Sequence, residues 1–258
     1  MVRDELDFAL ELAGVADEIS MRYFSRSPEV FTKQDGTLVT QADRDIESVL
    51  RQRLAERFPG HAVLGEEGGF SGEGVFGAAR PLWVIDPIDG TNNFAWGIPI
   101  FATLIALQLD GETQVGVVSA PALGERYDAA VGLGARMNGS PLSVSTAATI
   151  GEARIGFASW KGWVDAGLDR QWASILTRCR RSRGFGDFWG HMLVARGAAE
   201  AMAEPDLQPW DVAALSVIVT EAGGRLTDFS GAPFRARGSC LTTNGRIHDE
   251  LVAVLGAP

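Results

Sequence analysis

The chain has 258 residues, of which 46% are hydrophobic and 22% charged, and a formal charge of −10 at neutral pH. That length buries a full core, as one large domain or two closely packed ones, and the composition excludes a disordered chain. The acidic balance argues against nucleic acid as a partner, because phosphate backbones reward a basic surface. The first dozen residues scatter acids through their apolar positions, unlike a signal peptide, and no stretch approaches the roughly 18 apolar residues of a membrane span. Cys179 and Cys240 are too few for a disulfide framework. A protein of the reducing cytoplasm, with no membrane partner, is expected.

In chain order, Phe8, Leu12, Val15, Ile19 and Tyr23 recur at helical spacing and predict an amphipathic first helix. Thr40 and Asp43 have the spacing of a capping box. The helix they open carries Ile46, Val49, Leu50, Leu54 and Phe58 on one face and stops at Pro59-Gly60. The short run A-V-L leads into G-E-E-G (65–68), which puts Glu66 and Glu67 at a predicted strand end. A buried strand is expected at 82–86. Residues 101–111 and 114–120 pair across Asp110-Gly111 as a hairpin, and strands continue to about residue 158. Helices are predicted at about 169–180, 187–203 and 210–222, the last closed by Gly223-Gly224. Strands and helices come in blocks without regular alternation, which predicts an α+β layered architecture with two subdomains, 1–145 and 146–258.

Residues 82–94, L-W-V-I-D-P-I-D-G-T-N-N-F, run an apolar strand into Asp86, with Asp89 following after only Pro87 and Ile88. Two carboxylates so placed resist ionising together unless a cation lies between them. The plain alternative is that both cap turns, with Gly90 supplying the bend. Glu66 and Glu67, together with Asp211 in the first turn of the helix begun by P-W-D-V-A-A-L (209–215), add hard oxygen ligands with no Cys or His nearby. That donor set points to Mg²⁺ or Mn²⁺ and away from zinc. A helix beginning at Thr91 would aim the N–H groups of Gly90 and Thr91 at an anion such as phosphate. Acids would repel that phosphate without metal ions between them, so the pattern reads as metal-assisted hydrolysis of a phosphate ester. The glycine-rich stretch 65–77 has little to order it without metal and is expected to be mobile until metal and phosphate bind.

These motifs, with D-G-T-L-V-T-Q-A-D (35–43), W-D-V-A (210–213) and T-E-A-G-G-R-L-T-D (220–228), resemble the inositol monophosphatase family over nearly the whole chain. The resemblance implies a layered α/β/α/β/α sandwich of the inositol monophosphatase and fructose-1,6-bisphosphatase type, two or three Mg²⁺ ions with Mn²⁺ as a substitute, lithium sensitivity, and a homodimer. It implies that Glu66, Asp86, the Ile88 carbonyl, Asp89 and Asp211 ligate metal. It further implies that Thr91 and Glu66 orient the attacking water, with Thr40 and Asp43 in support.

The run R-S-R-G-F-G-D-F-W-G-H-M-L-V-A-R-G (181–197), and T-L-V-T at 37–40, resemble the histidinol-phosphate phosphatase branch. A substrate with an amine and an imidazole wants carboxylates beyond those that hold metal. Asp187 is the candidate of that branch, and Glu204 matches a leaving-group position of the family. Asp187 alternatively caps the helix it begins, and His191 reads as a packing histidine. Asn92 and Glu200 depart from the branch and family patterns, which have Lys and Asp there, so inositol 1-phosphate or another sugar or nucleotide phosphate remains the alternative substrate. Arg178, Arg180, Arg181 and Arg183 read as solvated surface, with one Arg reaching the site, across a dimer, as the alternative. An aspartyl-phosphate mechanism needs D-x-D-x-T, and D-P-I-D-G-T has one residue too many. G-L-G-A-R-M-N-G (132–139) reads as a turn between strands, since its spacing does not fit a nucleotide loop. The absence of G-x-S-x-G disfavours a serine hydrolase. A non-catalytic metal- or phosphate-binding regulator would be expected to have lost ligands, and here all are intact.

Overall fold

The computed structural model of the chain describes residues 2–25, 29–33, 36–72 and 81–256. Of the glycine-rich stretch 65–77, residues 73–77 lie outside the described residues. Up to residue 141 the elements are α1 (Val2–Phe24), β1 (Val30–Thr32), β2 (Leu38–Thr40), α2 (Gln41–Arg57), β3 (Ala62–Gly65), β4 (Gly69–Ser71), β5 (Leu82–Asp89), α3 (Thr91–Ala95), β6 (Ala102–Leu109), β7 (Glu112–Ala120), β8 (Glu125–Ala130), β9 (Gly134–Met137) and β10 (Ser140–Pro141). Then follow β11 (Arg154–Phe157), α4 (Trp160–Asp165), α5 (Asp169–Arg178), β12 (Arg181–Gly184), α6 (Asp187–Ala195), β13 (Ala201–Leu207), α7 (Pro209–Glu221), β14 (Arg225–Thr227), β15 (Gly238–Thr243) and α8 (His248–Leu255).

Among the described residues, an eight-stranded sheet runs β10-β9-β8-β7-β6-β5-β3-β4, antiparallel except where β3 meets β5. Its central strands are apolar on both faces because both are covered. Ile85, Ile105, Leu107, Val115 and Val117 pack with α1 and α2, and Val84, Leu104, Ala106 and Val118 pack with α6 and α7. A five-stranded sheet, β12-β11-β13-β15-β14, holds β11 parallel to β12 and β13. Leu193 and Val194 of α6 pack with Met202 of that sheet. On its outer side Trp163 stacks on Trp172, ring centroids 4.1 Å apart, in a cluster with α8. The layers therefore run α/β/α/β/α, as the family resemblance implies.

Three expectations are corrected. The strand expected at 82–86 runs on to Asp89 with a register shift between Asp86 and Asp89. The helix expected to reach 203 ends at Ala195, where Gly197 (φ 71°) turns the chain and its N–H bonds Val194 O; A-M-A-E-P-D-L is strand β13. On α1 the fully buried stripe is Leu6, Ala9, Leu12, Ala13, Ala16 and Ser20, so small residues let the helix lie close on the sheet, while Phe8, Ile19 and Tyr23 pack along its edge. Asp110 and Gly111, both at positive φ, close the β6–β7 hairpin as expected. Residues 131–133 turn between β8 and β9 where the loop-like G-L-G began.

Candidate active site

In a regular strand, residues three apart face opposite sides of the sheet. On β5, Asp86 pairs with Leu104 and Asp89 with Ala102, so three steps on one strand match two on the other. The extra residue is a bulge, and it turns both carboxylates toward one point. The carbonyls it frees find partners: Thr103 Oγ1 donates to Pro87 O at 2.7 Å and Thr91 Oγ1 to Ile88 O at 2.9 Å. Asp211, in the first turn of α7, reaches the same point. Ligand oxygens of Asp86, Asp89 and Asp211 all lie within 4.8 Å of one another.

Neighbouring elements border this three-residue group, which Glu66 does not join. Because Gly65 pairs with Ile85 in parallel register, the chain leaves β3 with Glu66 next to Asp86, and Glu66 N bonds Ile85 O. Lys33, from the β1–β2 hairpin, bridges Glu66 and Glu67 with Nζ at 2.8 and 2.5 Å. Thr40 and Asp43 form the expected capping box of α2, Asp43 Oδ2 accepting from Thr40 N at 2.8 Å and Thr40 Oγ1 at 2.6 Å. Asp211 uses one oxygen in the same way on Gln208 N, at 2.7 Å. Gly90, at φ 83°, leads into α3, which begins at Thr91. A Cβ at Gly90 would lie 2.8 Å from Ile100 O and 3.4 Å from Asp187 Oδ2, so only glycine fits this backbone there.

A second acidic pair borders the first. Asp187 opens α6 at φ 59°, and its side chain makes no helix-cap bond, contrary to the capping alternative. The N–H of Phe188, in the first turn of that helix, donates to Asp89 Oδ2 at 2.6 Å. Asp187 Oδ2 accepts from Asn93 Nδ2 at 2.9 Å. Glu204, at the bulge of β13, meets His191 Nε2 at 3.4 Å, while His191 Nδ1 lies 2.7 Å from Thr242 Oγ1. His191 is thus a packed, hydrogen-bonded histidine. Burial lowers its pKa to about 3, so it is neutral. Glu200 is tied to Arg154 through backbone and guanidinium. Arg178 pairs with Glu250, and Arg180, Arg181 and Arg183 are exposed.

Burial is the largest cause that raises the carboxyl pKa values, and like charges add to it. Asp86 and Asp89 are held well above the ordinary range, Asp86 with help from Glu66, Asp89 and Asp211, and Asp89 with help from Asp187 and Asp211. Asp43, Asp187 and Asp211 are raised to about 7, and Glu204 to about 8. Asp86 Oδ1 and Asp43 Oδ1 are buried without a hydrogen-bond partner among the described residues. Buried carboxylates that repel each other, hard oxygens only, and an orphaned Asp86 oxygen at the centre fit a divalent cation. Neither His nor Cys joins the described cluster.

The sequence identified the acids but missed Lys33, Asn93 and the Phe188 N–H. Asn93 sits inside the quoted motif and Lys33 just before D-G-T-L-V-T, and that proximity was the only sign of either. A model of the inositol monophosphatase family matches residues 2–256. A histidinol-phosphatase of Mycobacterium tuberculosis is 45% identical over the whole of both chains. Human inositol monophosphatase 1 is 33% identical over 96% of this chain and 92% of its own. The solved structure of a Thermotoga maritima IMPase superimposes with a TM-score of 0.87 at 34% identity, covering 98% of this chain and 97% of that one.

Proposed function

The chain belongs to the inositol monophosphatase family and is a phosphomonoesterase, and from that premise we propose that its substrate is histidinol phosphate and its metal Mg²⁺. The observation that carries the substrate is the acidic pair Asp187 and Glu204, which is close enough to raise the pKa values of Asp89 and Asp211 without joining the Asp86–Asp89–Asp211 group, Asp187 lying beside Gly90. Beside Glu204, which matches a leaving-group position of the whole family, the added carboxylate of Asp187 benefits an ester whose leaving group is cationic, and a neutral polyol gains nothing from that extra charge. The 45% identity to a histidinol-phosphatase, against 33% to an inositol monophosphatase, supports the same choice.

Glu66, Asp86, Asp89, Asp211 and the Ile88 carbonyl would hold the metal ions. When bound, divalent ions supply the positive charge that lets an anionic ester enter and makes water a competent nucleophile at neutral pH. The N–H groups of Gly90 and Thr91 would receive phosphate oxygens at the start of α3. Thr91 Oγ1 and Glu66 would orient the water, with the Thr40–Asp43 pair holding the neighbouring backbone. Asp187, fixed by Asn93, and Glu204, beside His191, would receive the amine or imidazole of the leaving group. The reading extends to a cytoplasmic homodimer and to a division into 1–145 and 146–258.

A panel of phosphate esters assayed with Mg²⁺ tests this. The expected outcome is a kcat/KM for histidinol phosphate far above those for inositol 1-phosphate and fructose 1,6-bisphosphate. Equal or reversed values would return inositol phosphate as the substrate.

A further inference from the structure

The motif G-E-E-G owes its two glycines to a carboxylate from another element. Glu47, on α2, is 3% exposed. Its Oε2 accepts from Glu67 N at 2.8 Å, and its Oε1 accepts from Gly68 N at 2.8 Å and from Arg51 Nε at 2.7 Å. Arg51, one helical turn on, also donates to Gly69 O at 2.5 Å and to Ser71 Oγ at 2.7 Å. The pair therefore ties α2 to the turn after β3 and to both ends of β4.

The fit is close. A Cβ at Gly65 would lie 2.4 Å from Glu47 Oε1, and one at Gly68 would lie 2.7 Å from the same atom. The glycines on either side of Glu66-Glu67 leave the space that the Glu47 carboxylate fills. A carboxylate this deep is costly unless it is paired and hydrogen-bonded, and here Arg51 and two backbone N–H groups satisfy it. By contrast, among the described residues the hydrogen-bond partner of the Glu66 and Glu67 side chains is the single flexible amine of Lys33. Ile85 O holds the N–H of Glu66 and Glu47 holds the next two, so the backbone that keeps Glu66 near Asp86 is fixed from both sides.

We infer that Glu47, braced by Arg51, is a positioning residue for the metal centre: it sets the direction of Glu66 and, through it, the affinity of the site for a divalent cation. This rests on the reading of Glu66 as a metal ligand. Buried groups that orient metal ligands typically change affinity by about ten- to a hundredfold when replaced.

Two variants reach the brace by different routes. Glu47→Gln removes the charge that holds Arg51 and leaves one acceptor oxygen for two backbone N–H groups. Gly65→Ala keeps the carboxylate but pushes it from its place, and it preserves a test if the first variant fails to fold. Calorimetric titration of metal-free protein with Mg²⁺ should give a Kd raised about tenfold or more in either variant. The rise in Tm on adding Mg²⁺ should shrink accordingly. A Kd equal to wild type in a folded variant, with Tm lowered equally in chelator and in Mg²⁺, would make the brace purely structural and overturn the inference. If wild-type protein itself takes up no Mg²⁺, the metal reading fails before the brace is tested.

Discussion

Asp187 is the residue at which backbone geometry and chemistry meet. A non-glycine residue at φ 59° carries strain on the order of 1–3 kcal/mol, and such strain concentrates where a side chain must be aimed. Its side chain does not cap α6, so the strain is not explained by the helix start. Asn tolerates the left-handed region and its side-chain oxygen can still accept from Asn93. Asp187→Asn therefore changes the charge and little else. A charge-assisted hydrogen bond contributes roughly 1.5–3 kcal/mol. The expected loss in kcat/KM for histidinol phosphate is about ten- to a hundredfold, with inositol 1-phosphate nearly unaffected. Asp86→Asn, as a control, should remove activity on both. Parallel, modest changes on the two esters in Asp187→Asn would deny Asp187 its role in recognition. The acids of the site were legible because a carboxylate carries its chemistry with it. Lys33, Asn93 and Glu47 matter only through what lies opposite them, and register is not written in one stretch of chain.

At the scale of elements, the site is a meeting of element ends. The bulge in β5, the end of β3 and the first turns of α3, α6 and α7 converge on it, and α2 supplies Asp43 and Glu47. Helix starts direct free N–H groups and positive potential at the carboxylates, as Phe188 N does at Asp89. The helices with capping boxes or glycine stops were readable, because those devices are local. The bulge was not, since D-P-I-D gives no sign of which partner residues it faces. The helix expected to reach 203 failed because A-A-E-A-M-A has helical propensity, and burial between β11 and β15 overrode it. Gly90 tests the convergence directly. Gly90→Ala places a Cβ 2.8 Å from Ile100 O on a backbone at φ 83°, so the turn between β5 and α3 must move away from the segment that leads into β6. Left-handed strain alone is about 1–2 kcal/mol, and at about 2–4 °C per kcal/mol for a chain this large Tm should fall by several degrees. Activity should fall on every ester alike. A variant with wild-type Tm and kcat/KM would show that the close approach at Gly90 is unimportant.

For the whole molecule, five layers bury the carboxylates of one site where, among the described residues, Lys33 pairs with Glu66 and Glu67 but no cation pairs with Asp86, Asp89 or Asp211, which makes stability depend on pH and on the cation together. Glu204, raised to about 8, and Asp43, Asp187 and Asp211, raised to about 7, each owe the shift first to burial. Unfolded, the same groups titrate near 4. Between about pH 4 and 8 the folded, metal-free protein therefore binds more protons than the unfolded chain. The contribution of these groups to stability is complete below about 4 and is lost as pH rises through 7 to 8. In excess chelator, Tm should fall from pH 6 to about pH 8, where these groups complete their ionisation, and turnover should be absent. With Mg²⁺ saturating, the ionised carboxylates gain a partner and the cation adds stability by binding only the folded state. The loaded protein should then show a flatter profile, and the gap between the two Tm values should widen with pH. Calorimetric scans at pH 6, 7, 8 and 9 with chelator and with Mg²⁺ measure that gap. Two parallel curves would mean that the buried acids do not share their protons with the metal, and full activity in chelator would remove the metal from the reaction.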